Sequence, residues 1–141
     1  MVQRESKKVL IIYSDFYPKI SENLLLGAES FLIESKVKYE KKRVDGSLEI
    51  PFLLSKYMGK FSGFVIIGCV IKGETDHYHI VKDICLNEVY SLAYKNKIPL
   101  GSAILTVDNF EQAIERSDVK KRNLGKKAAI VCCNLMKTLS E

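Results

Sequence analysis

The octapeptide FVIIGCVI, Phe64–Ile71, is the stretch of the sequence that indicates the fold most clearly. It holds no charged residue, and an apolar run of this length is typical of a strand buried on both faces of a parallel sheet. Val9–Tyr13 has the same pattern, and Leu100–Thr106 is another apolar strand, which opens after Pro99. Tyr39–Val44 is also predicted as a strand, and its charged residues place it nearer an edge of the sheet.

The segments between these strands carry apolar residues at helical spacing. Ser21 is the predicted N-cap of the helix that follows the first strand, because a serine oxygen accepts a hydrogen bond from a free backbone N–H group there. Pro51 is expected to begin the next helix, since its fixed φ suits a first helical position. The remaining predicted helices are His77–Lys95, a short helix capped by Asp108 or Asn109 that runs through Arg116, and Asn123–Leu139.

The alternation of strands and helices predicts an α/β fold. We expect a single three-layer domain over 1–141, with a central four-stranded parallel sheet in flavodoxin-like order and helices on both faces. Residues 1–7 are expected to form a flexible N-terminal segment. Ligands of such sheets bind beyond the carboxyl ends of the strands. The segments expected to carry chemistry are therefore 14–17, 46–49, 72–77 and the region after Thr106.

The composition excludes several classes of protein. Of the 141 residues 47% are hydrophobic and 28% charged, which is ordinary for a soluble globular protein. Apolar runs such as Phe64–Ile71 are far shorter than the roughly 20 residues that span a bilayer, and no secretory cleavage pattern is present. None of the four cysteines forms a C-x-x-C pair, so reduced, buried thiols are expected. These features predict a cytoplasmic protein with no membrane partner.

The formal net charge of +5 raises the possibility of nucleic-acid binding. The lysines are scattered, however, and no recognition-helix or aromatic RNA-binding pattern accompanies them. A modest positive charge suits a phosphorylated small substrate equally well, because it steers anions. We therefore expect no nucleic-acid partner.

The strand Phe64–Ile71 runs through Lys72 and Gly73 into a predicted helix N-terminus. Free backbone N–H groups and the positive end of the helix dipole make such a place an anion site. Gly73 removes side-chain bulk where a phosphate must approach, and Lys72 and Thr75 can add a charge and a hydroxyl. His77 lies in the first helical turn, where a histidine is a natural proton shuttle.

Plainer interpretations of this segment stay open. A glycine before a helix is often only a turn, and His77 and His79 could both be ordinary surface residues. Glu74 and Asp76 beside the two histidines raise the question of a metal. Residues two apart do not share a helix face, and the spacing fits no standard zinc pattern, so no metal ligand is expected.

Three motifs resemble those of the lumazine synthases. Val70–Tyr78, VIKGETDHY, matches the family pattern V-I-[RK]-G-x-T-x-H-[FY]. Val44–Pro51, VDGSLEIP, resembles V-P-G-[AS]-x-E-[IL]-P. Leu105–Arg116, LTVDNFEQAIER, resembles L-T-x-[DE]-[NT]-x-E-Q-A-x-x-R. The motifs occur in the order and at the spacing of the family, and the likeness runs from about Val9 to Met136.

The resemblance implies an enzyme, a transferase of riboflavin biosynthesis. Lumazine synthases condense 5-amino-6-(D-ribitylamino)uracil with 3,4-dihydroxy-2-butanone 4-phosphate to form 6,7-dimethyl-8-ribityllumazine, and they release phosphate and water. This is the penultimate step of the pathway. The family uses no metal or redox cofactor, so none is expected here.

The resemblance also implies roles for residues. His77 would transfer protons, and Phe16 would stack on the pyrimidine ring. Arg116 would grip the phosphate from a neighbouring subunit, although it could instead only complement the dipole of its own helix. The implied contacts of the ribitylaminouracil are Phe16, Ser47, Leu48, Glu49, Val70, Ile71, Lys72 and Ser102. Those of the butanone phosphate are Gly73, Glu74, Thr75 and Arg116.

Four positions depart from the common family pattern. Leu48 and Ser102 stand where many members carry phenylalanine, which should weaken stacking on the uracil. Leu124 stands where a lysine is common and so removes one positive charge near the phosphate end. Asp45 replaces the usual proline before the glycine. None of these changes affects the residues implied in proton transfer or phosphate binding.

The family builds homopentamers with active sites at subunit interfaces, and some members assemble a shell of about sixty chains. A homopentamer is expected here, whereas the shell and a complex with riboflavin synthase are left open. Three other functions also remain: an archaeal-type riboflavin synthase, a non-catalytic lumazine- or flavin-binding relative, and a receiver-like regulatory domain. The last would need an acidic pair where the sequence offers only Asp15.

Overall fold

The fold is α/β, as predicted. A computed structural model of the chain describes residues 7–73 and 77–141, so residues 1–6 of the expected N-terminal segment lie outside the described residues. The strands are β1 (Lys8–Ser14), β2 (Lys38–Val44), β3 (Gly63–Ile71) and β4 (Leu100–Val107). The helices are α1 (Pro18–Glu34), α2 (Ile50–Tyr57), α3 (Tyr78–Asn96), α4 (Phe110–Ser117) and α5 (Leu124–Leu139), and a 3-10 turn, Ser47–Glu49, precedes α2.

The four strands form one parallel sheet in the order β2-β1-β3-β4. Ile12 in the middle of β1 pairs with Lys42 on one side and with Ile66 on the other. The flavodoxin-like order and the edge position of β2 are therefore confirmed. Because all strands run the same way, their carboxyl ends lie along one edge of the sheet.

Helices cover both faces of the sheet and make three layers. Val65 and Ile67 of β3 are fully buried in a core that α1 and α5 share, whereas Phe64 and Ile66 are fully buried in a second core with α2 and α3. Alternate residues of a strand point to opposite faces, so a strand that is covered on both sides must be apolar throughout. The continuous run in the octapeptide has this cause.

Two of the predicted helix starts need correction. Ser21 is not an N-cap: α1 begins at Pro18, Tyr17 occupies the cap position, and the Ser21 hydroxyl donates a hydrogen bond to the Pro18 carbonyl at 3.1 Å. The missing N–H of a proline costs nothing in the first turn, so Pro18 starts the helix one turn earlier. Helix α2 begins at Ile50 rather than Pro51. At α4 the cap is Asn109, whose side chain accepts from the Gln112 N–H at 2.9 Å.

The cysteines are free thiols, as expected, but only two of the four are buried. All four are free thiols; Cys85 and Cys132 are buried, and Cys69 and Cys133 are half-buried. Among residues 7–73 and 77–141, no helix is both long enough and apolar enough to cross a bilayer.

Candidate active site

An open cavity of about 180 Å³ lies beyond the carboxyl ends of β1 and β3, at the edge of the sheet predicted to carry chemistry. Its walls come from the ends of these strands, from the loop after β1, from the turn after β2 and from the first turn of α3. The lining residues are Ser14, Phe16, Tyr17, Gly46, Ser47, Leu48, Glu49, Cys69, Val70, Ile71 and Val81. Six of the predicted uracil contacts, from Phe16 to Ile71, are among them.

One wall of the cavity is the turn Ser47–Glu49, which is fixed against the sheet. Ser47 is buried, and a side-chain carbon on Gly68 of β3 would lie only 2.8 Å from the Ser47 hydroxyl oxygen. The glycine in the strand therefore makes room for the turn. The backbone N–H of Glu49 donates to the Gly46 carbonyl at 3.1 Å, and Leu48 is 37% exposed at the cavity.

Another wall of the cavity carries an aromatic ring. Phe16 is 70% exposed, and within 7–73 and 77–141 the only aromatic ring that it contacts is that of Tyr17, edge to face, at 5.1 Å between centroids. Tyr17 in turn contacts Phe110 of α4 at 6.5 Å. An edge contact leaves a ring face open, which is the geometry that a flat heterocycle needs for stacking.

The glycine turn lies at the end of β3. Gly73 has a φ of +88°, which strongly favours glycine, and its α-carbon faces open space. Lys72 is exposed, and its backbone N–H donates to the Val107 carbonyl at 2.8 Å, which ties the end of β3 to that of β4. The predicted phosphate contacts Glu74 and Thr75, together with Asp76, lie outside the described residues.

His77 occupies the N-cap position of α3 and is exposed. Its carbonyl accepts a hydrogen bond from the backbone N–H of Val81 at 2.9 Å, and Val81 itself lines the cavity. The first turn of a 19-residue helix is therefore beside the site, with its free N–H groups and the positive end of its dipole.

Five of the predicted site residues that the structure describes do not line the cavity of their own chain: they are Lys72, Gly73, His77, Ser102 and Arg116. Arg116 is half-buried in the last turn of α4. Ser102 lies on β4 opposite Ile66, and its hydroxyl accepts from the Ile104 N–H at 3.4 Å. The roles of all five residues stay predictions.

Some residues that line the cavity were not predicted. Ser14, Tyr17 and Gly46 belong to segments expected to carry chemistry, but nothing in their residue types distinguished them. Val81 lies four residues after His77, and this spacing could have placed it on the same helix face. Cys69 was read only as a strand residue. Burial raises the pKa of its thiol to about 12, so Cys69 contributes a neutral wall rather than a nucleophile.

Similarity to known proteins extends over nearly the whole chain. The family model of 6,7-dimethyl-8-ribityllumazine synthase matches residues 6–140. A 6,7-dimethyl-8-ribityllumazine synthase of Paramagnetospirillum magneticum is 37% identical over 138 residues, which cover 92% of each chain. The protein of the same name from Bartonella tribocorum is 39% identical over 129 residues, which are 89% of this chain and 85% of the relative. That of Agrobacterium fabrum is 36% identical over 141 residues, 93% of this chain and 95% of the relative.

The match therefore covers the sheet, both helix layers and every segment that lines the cavity. Identities of 36% to 39% over about nine tenths of the chain exceed what a shared α/β architecture alone requires. The chain belongs to the 6,7-dimethyl-8-ribityllumazine synthase family.

Proposed function

We propose that this chain condenses 5-amino-6-(D-ribitylamino)uracil with 3,4-dihydroxy-2-butanone 4-phosphate in the cavity beyond β1 and β3. The product is 6,7-dimethyl-8-ribityllumazine, and phosphate and water leave. The observation that carries the proposal is the pairing of an open aromatic ring, Phe16, with a helix N-terminus beside the same cavity, in a member of this family. One feature suits a flat heterocycle and the other an anion.

The uracil reactant is assigned to the apolar part of the cavity. Phe16 stacks on the pyrimidine ring, and backbone groups of Val70 and Ile71 meet its polar edge. The Glu49 carboxylate accepts hydrogen bonds from the ribityl hydroxyls, because an ionised carboxylate offers only acceptors. The remaining contacts assigned to this reactant are Ser47, Leu48, Lys72 and Ser102.

The phosphate of the second reactant is assigned to the turn after β3. Gly73 has a positive φ and no side chain to hinder an anion, and the free N–H groups and dipole at the start of α3 favour an anion. Glu74 and Thr75 belong to the same turn in sequence. Arg116 closes the site from a neighbouring chain, where its planar guanidinium can hold two phosphate oxygens.

The reaction is a series of proton transfers around carbon–nitrogen bond formation. The 5-amino group attacks the ketone carbon and water leaves to give an imine. Phosphate then departs as the carbon–oxygen bond breaks, and the resulting enol tautomerises before the ribitylamino nitrogen closes the second ring with loss of water. His77 carries the protons, since an imidazole can both accept and donate one. No step needs an oxidant or a reductant.

We further propose that the chain works as a single domain, 1–141, in a homopentamer in the cytoplasm, with each active site shared by two chains. Several large apolar side chains on the helix surfaces support an assembly, since lone chains gain nothing from exposing them. They are Leu26 and Ile33 of α1, Phe52 of α2, and Ile80, Ile84 and Tyr94 of α3. The open cavity of one chain is also smaller than the roughly 300 Å³ or more of ordinary ligand sites. Further walls from a second chain would extend it.

The test is to mix the purified protein with both reactants and to follow the fluorescence of the lumazine product. His77→Ala should lower kcat by about a hundredfold or more while the assembly mass stays unchanged. Arg116→Ala should raise KM for the butanone phosphate about tenfold or more, because it removes charge-assisted hydrogen bonds.

Matched controls are His79→Ala, which removes the exposed histidine two residues further along α3, and Lys137→Ala, which removes an exposed cation of α5. Both should keep the rate of the parent. Binding of the lumazine without any turnover would instead identify a non-catalytic relative, and formation of riboflavin would identify the archaeal-type activity. An Arg116 variant with an unchanged KM would refute the phosphate assignment.

A further inference from the structure

One arginine joins two loops that both line the cavity, the loop after β1 and the turn after β2. The Arg43 Nε donates to an Asp15 carboxylate oxygen at 2.8 Å, and its Nη1 donates to an Asp45 carboxylate oxygen at 3.0 Å. Asp15 directly precedes Phe16, and Asp45 directly precedes Gly46 at the start of the turn Ser47–Glu49. The guanidinium therefore links the loop that carries Phe16 to the turn Ser47–Glu49.

The bridge begins where the backbone ladder stops. Strands β1 and β2 pair in parallel, Tyr13 opposite Arg43 and Ser14 opposite Val44, and this is the last pair of the ladder. The residue that follows each strand is an aspartate, Asp15 after β1 and Asp45 after β2. Like charges on adjacent strands repel each other, and the arginine between the two carboxylates replaces this repulsion by attraction.

The two walls are held unequally. The turn is anchored because Ser47 is buried against Gly68. Phe16 is 70% exposed, and its ring packs edge to face with that of its sequence neighbour Tyr17. A link from Arg43 to Asp15 thus fastens the loosely held ring to the firmly held turn.

We propose that Arg43 is a positioning residue of the condensation, which fixes the Phe16 loop relative to the turn Ser47–Glu49 and so determines affinity for the pyrimidine reactant. The inference rests on the proposed function. The two carboxylates also raise the pKa of the Arg43 guanidinium above its ordinary value, so its charge is constant. Its side chain is 50% exposed, and those of Asp15 and Asp45 are 36% and 88% exposed, so solvent screens both ion pairs and little of the folding stability depends on them.

The variant to test is Arg43→Met, which keeps an apolar stem and removes the charge. We expect KM for the aminouracil and the dissociation constant of the lumazine product each to rise about fivefold. KM for the butanone phosphate, kcat and the thermal midpoint should stay close to those of the parent. Lys41→Met is the matched control, because Lys41 lies on the same strand and forms an exposed ion pair with Glu29 at 3.1 Å, remote from the cavity lining.

Salt gives a readout that a merely structural role would not change. Raising KCl from low concentration to about 1 M should weaken lumazine binding to the parent, because exposed ion pairs are screened, and should leave binding to Arg43→Met nearly constant. Arg43→Lys should rescue only part of the affinity, since an ammonium cannot hold both carboxylates as a planar fork does.

Fluorescence titration with the product keeps the two proposals apart. No turnover by the parent protein overturns the proposed function, whereas equal product affinity of the parent and Arg43→Met overturns the role of Arg43. An equal shift in the Lys41→Met control, or an equal rise in KM for both reactants, would also overturn it.

Discussion

Phe16 shows how much of the site rests on single side chains. A phenylalanine that is 70% exposed loses the free energy that burial of its ring would contribute, so a ligand that covers it gains that free energy on binding. Its T-shaped contact with Tyr17 restricts the ring and leaves at least one of its two faces open. An exposed ring at this position therefore suits the binding of a flat ligand.

Phe16→Leu should separate flat stacking from mere apolar contact. Leucine keeps much of the volume but has no ring face, and stacking contributes about 0.5–1.5 kcal/mol beyond burial. We expect KM for the aminouracil to rise roughly threefold to tenfold with kcat little changed, measured by initial rates at saturating butanone phosphate. Phe61→Leu is the control, because Phe61 does not line the cavity and is not among the exposed side chains that support the assembly. An equal KM in Phe16→Leu and the parent would exclude the stacking role.

Gly73 and Cys69 show that the sequence does not predict the backbone conformation or the surroundings of a single residue. The glycine was expected to give a phosphate room, and the structure adds a φ of +88°, which the residue type permits but does not specify. Cys69 looked like an ordinary strand residue because lining a cavity depends on where the strand ends relative to its neighbours. Residue types thus indicate which chemistry is possible, whereas the surroundings of each residue depend on the fold.

At the scale of elements, the edge strand β2 depends on side-chain links to α1. The Tyr39 hydroxyl donates to one Glu29 carboxylate oxygen at 2.6 Å, and Lys41 donates to the other at 3.1 Å. This hydrogen bond holds the phenolic proton and raises the pKa of Tyr39 from 10.0 to about 12. The neutral form of Tyr39 is therefore favoured in the folded state.

Tyr39→Phe should lower the free energy of unfolding by about 1 kcal/mol near neutral pH, measured by urea denaturation at a fixed protein concentration. Because the pKa is higher in the folded state, the contribution is complete below pH 10 and is lost as pH rises from 10 towards 12. The difference between parent and variant should shrink between pH 8 and pH 11, and a constant difference would contradict this explanation. Tyr94→Phe, at a residue that is 76% exposed, is the control.

The elements themselves were largely predictable, since buried strands must be apolar and helices show their spacing. The start of α1 was not, because Pro18 and Ser21 are both good first-turn residues and local sequence does not decide between them. The walls after β1 and β2 were predicted from strand ends. The bridge through Arg43 was not, because it depends on the register that sets Tyr13 opposite Arg43.

At the scale of the whole molecule, the site described within one chain is only part of the proposed one. Arg116 and Ser102 lie away from the cavity of their own chain, and no spacing along a sequence encodes a contact between chains. Apolar side chains such as Ile80 and Ile84, one turn apart on α3, form a surface that a neighbour could cover. The proposed pentamer would bring both missing residues to the cavity without any change of fold.

Mixed assemblies test this sharing directly. At a butanone phosphate concentration well below the parent KM, His77→Ala and Arg116→Ala chains should each keep at most about a tenth of the parent rate. When they are co-refolded in equal amounts, a site can draw His77 from one chain and Arg116 from its neighbour. If neighbours associate at random, about a quarter of the sites contain both intact residues, so about a quarter of the parent rate should return. If Arg116 served its own chain, every site would carry one defect and the mixture would be no more active than its components. Mass spectrometry of the intact assemblies shows that the chains have mixed, and the refolded parent sets the full rate.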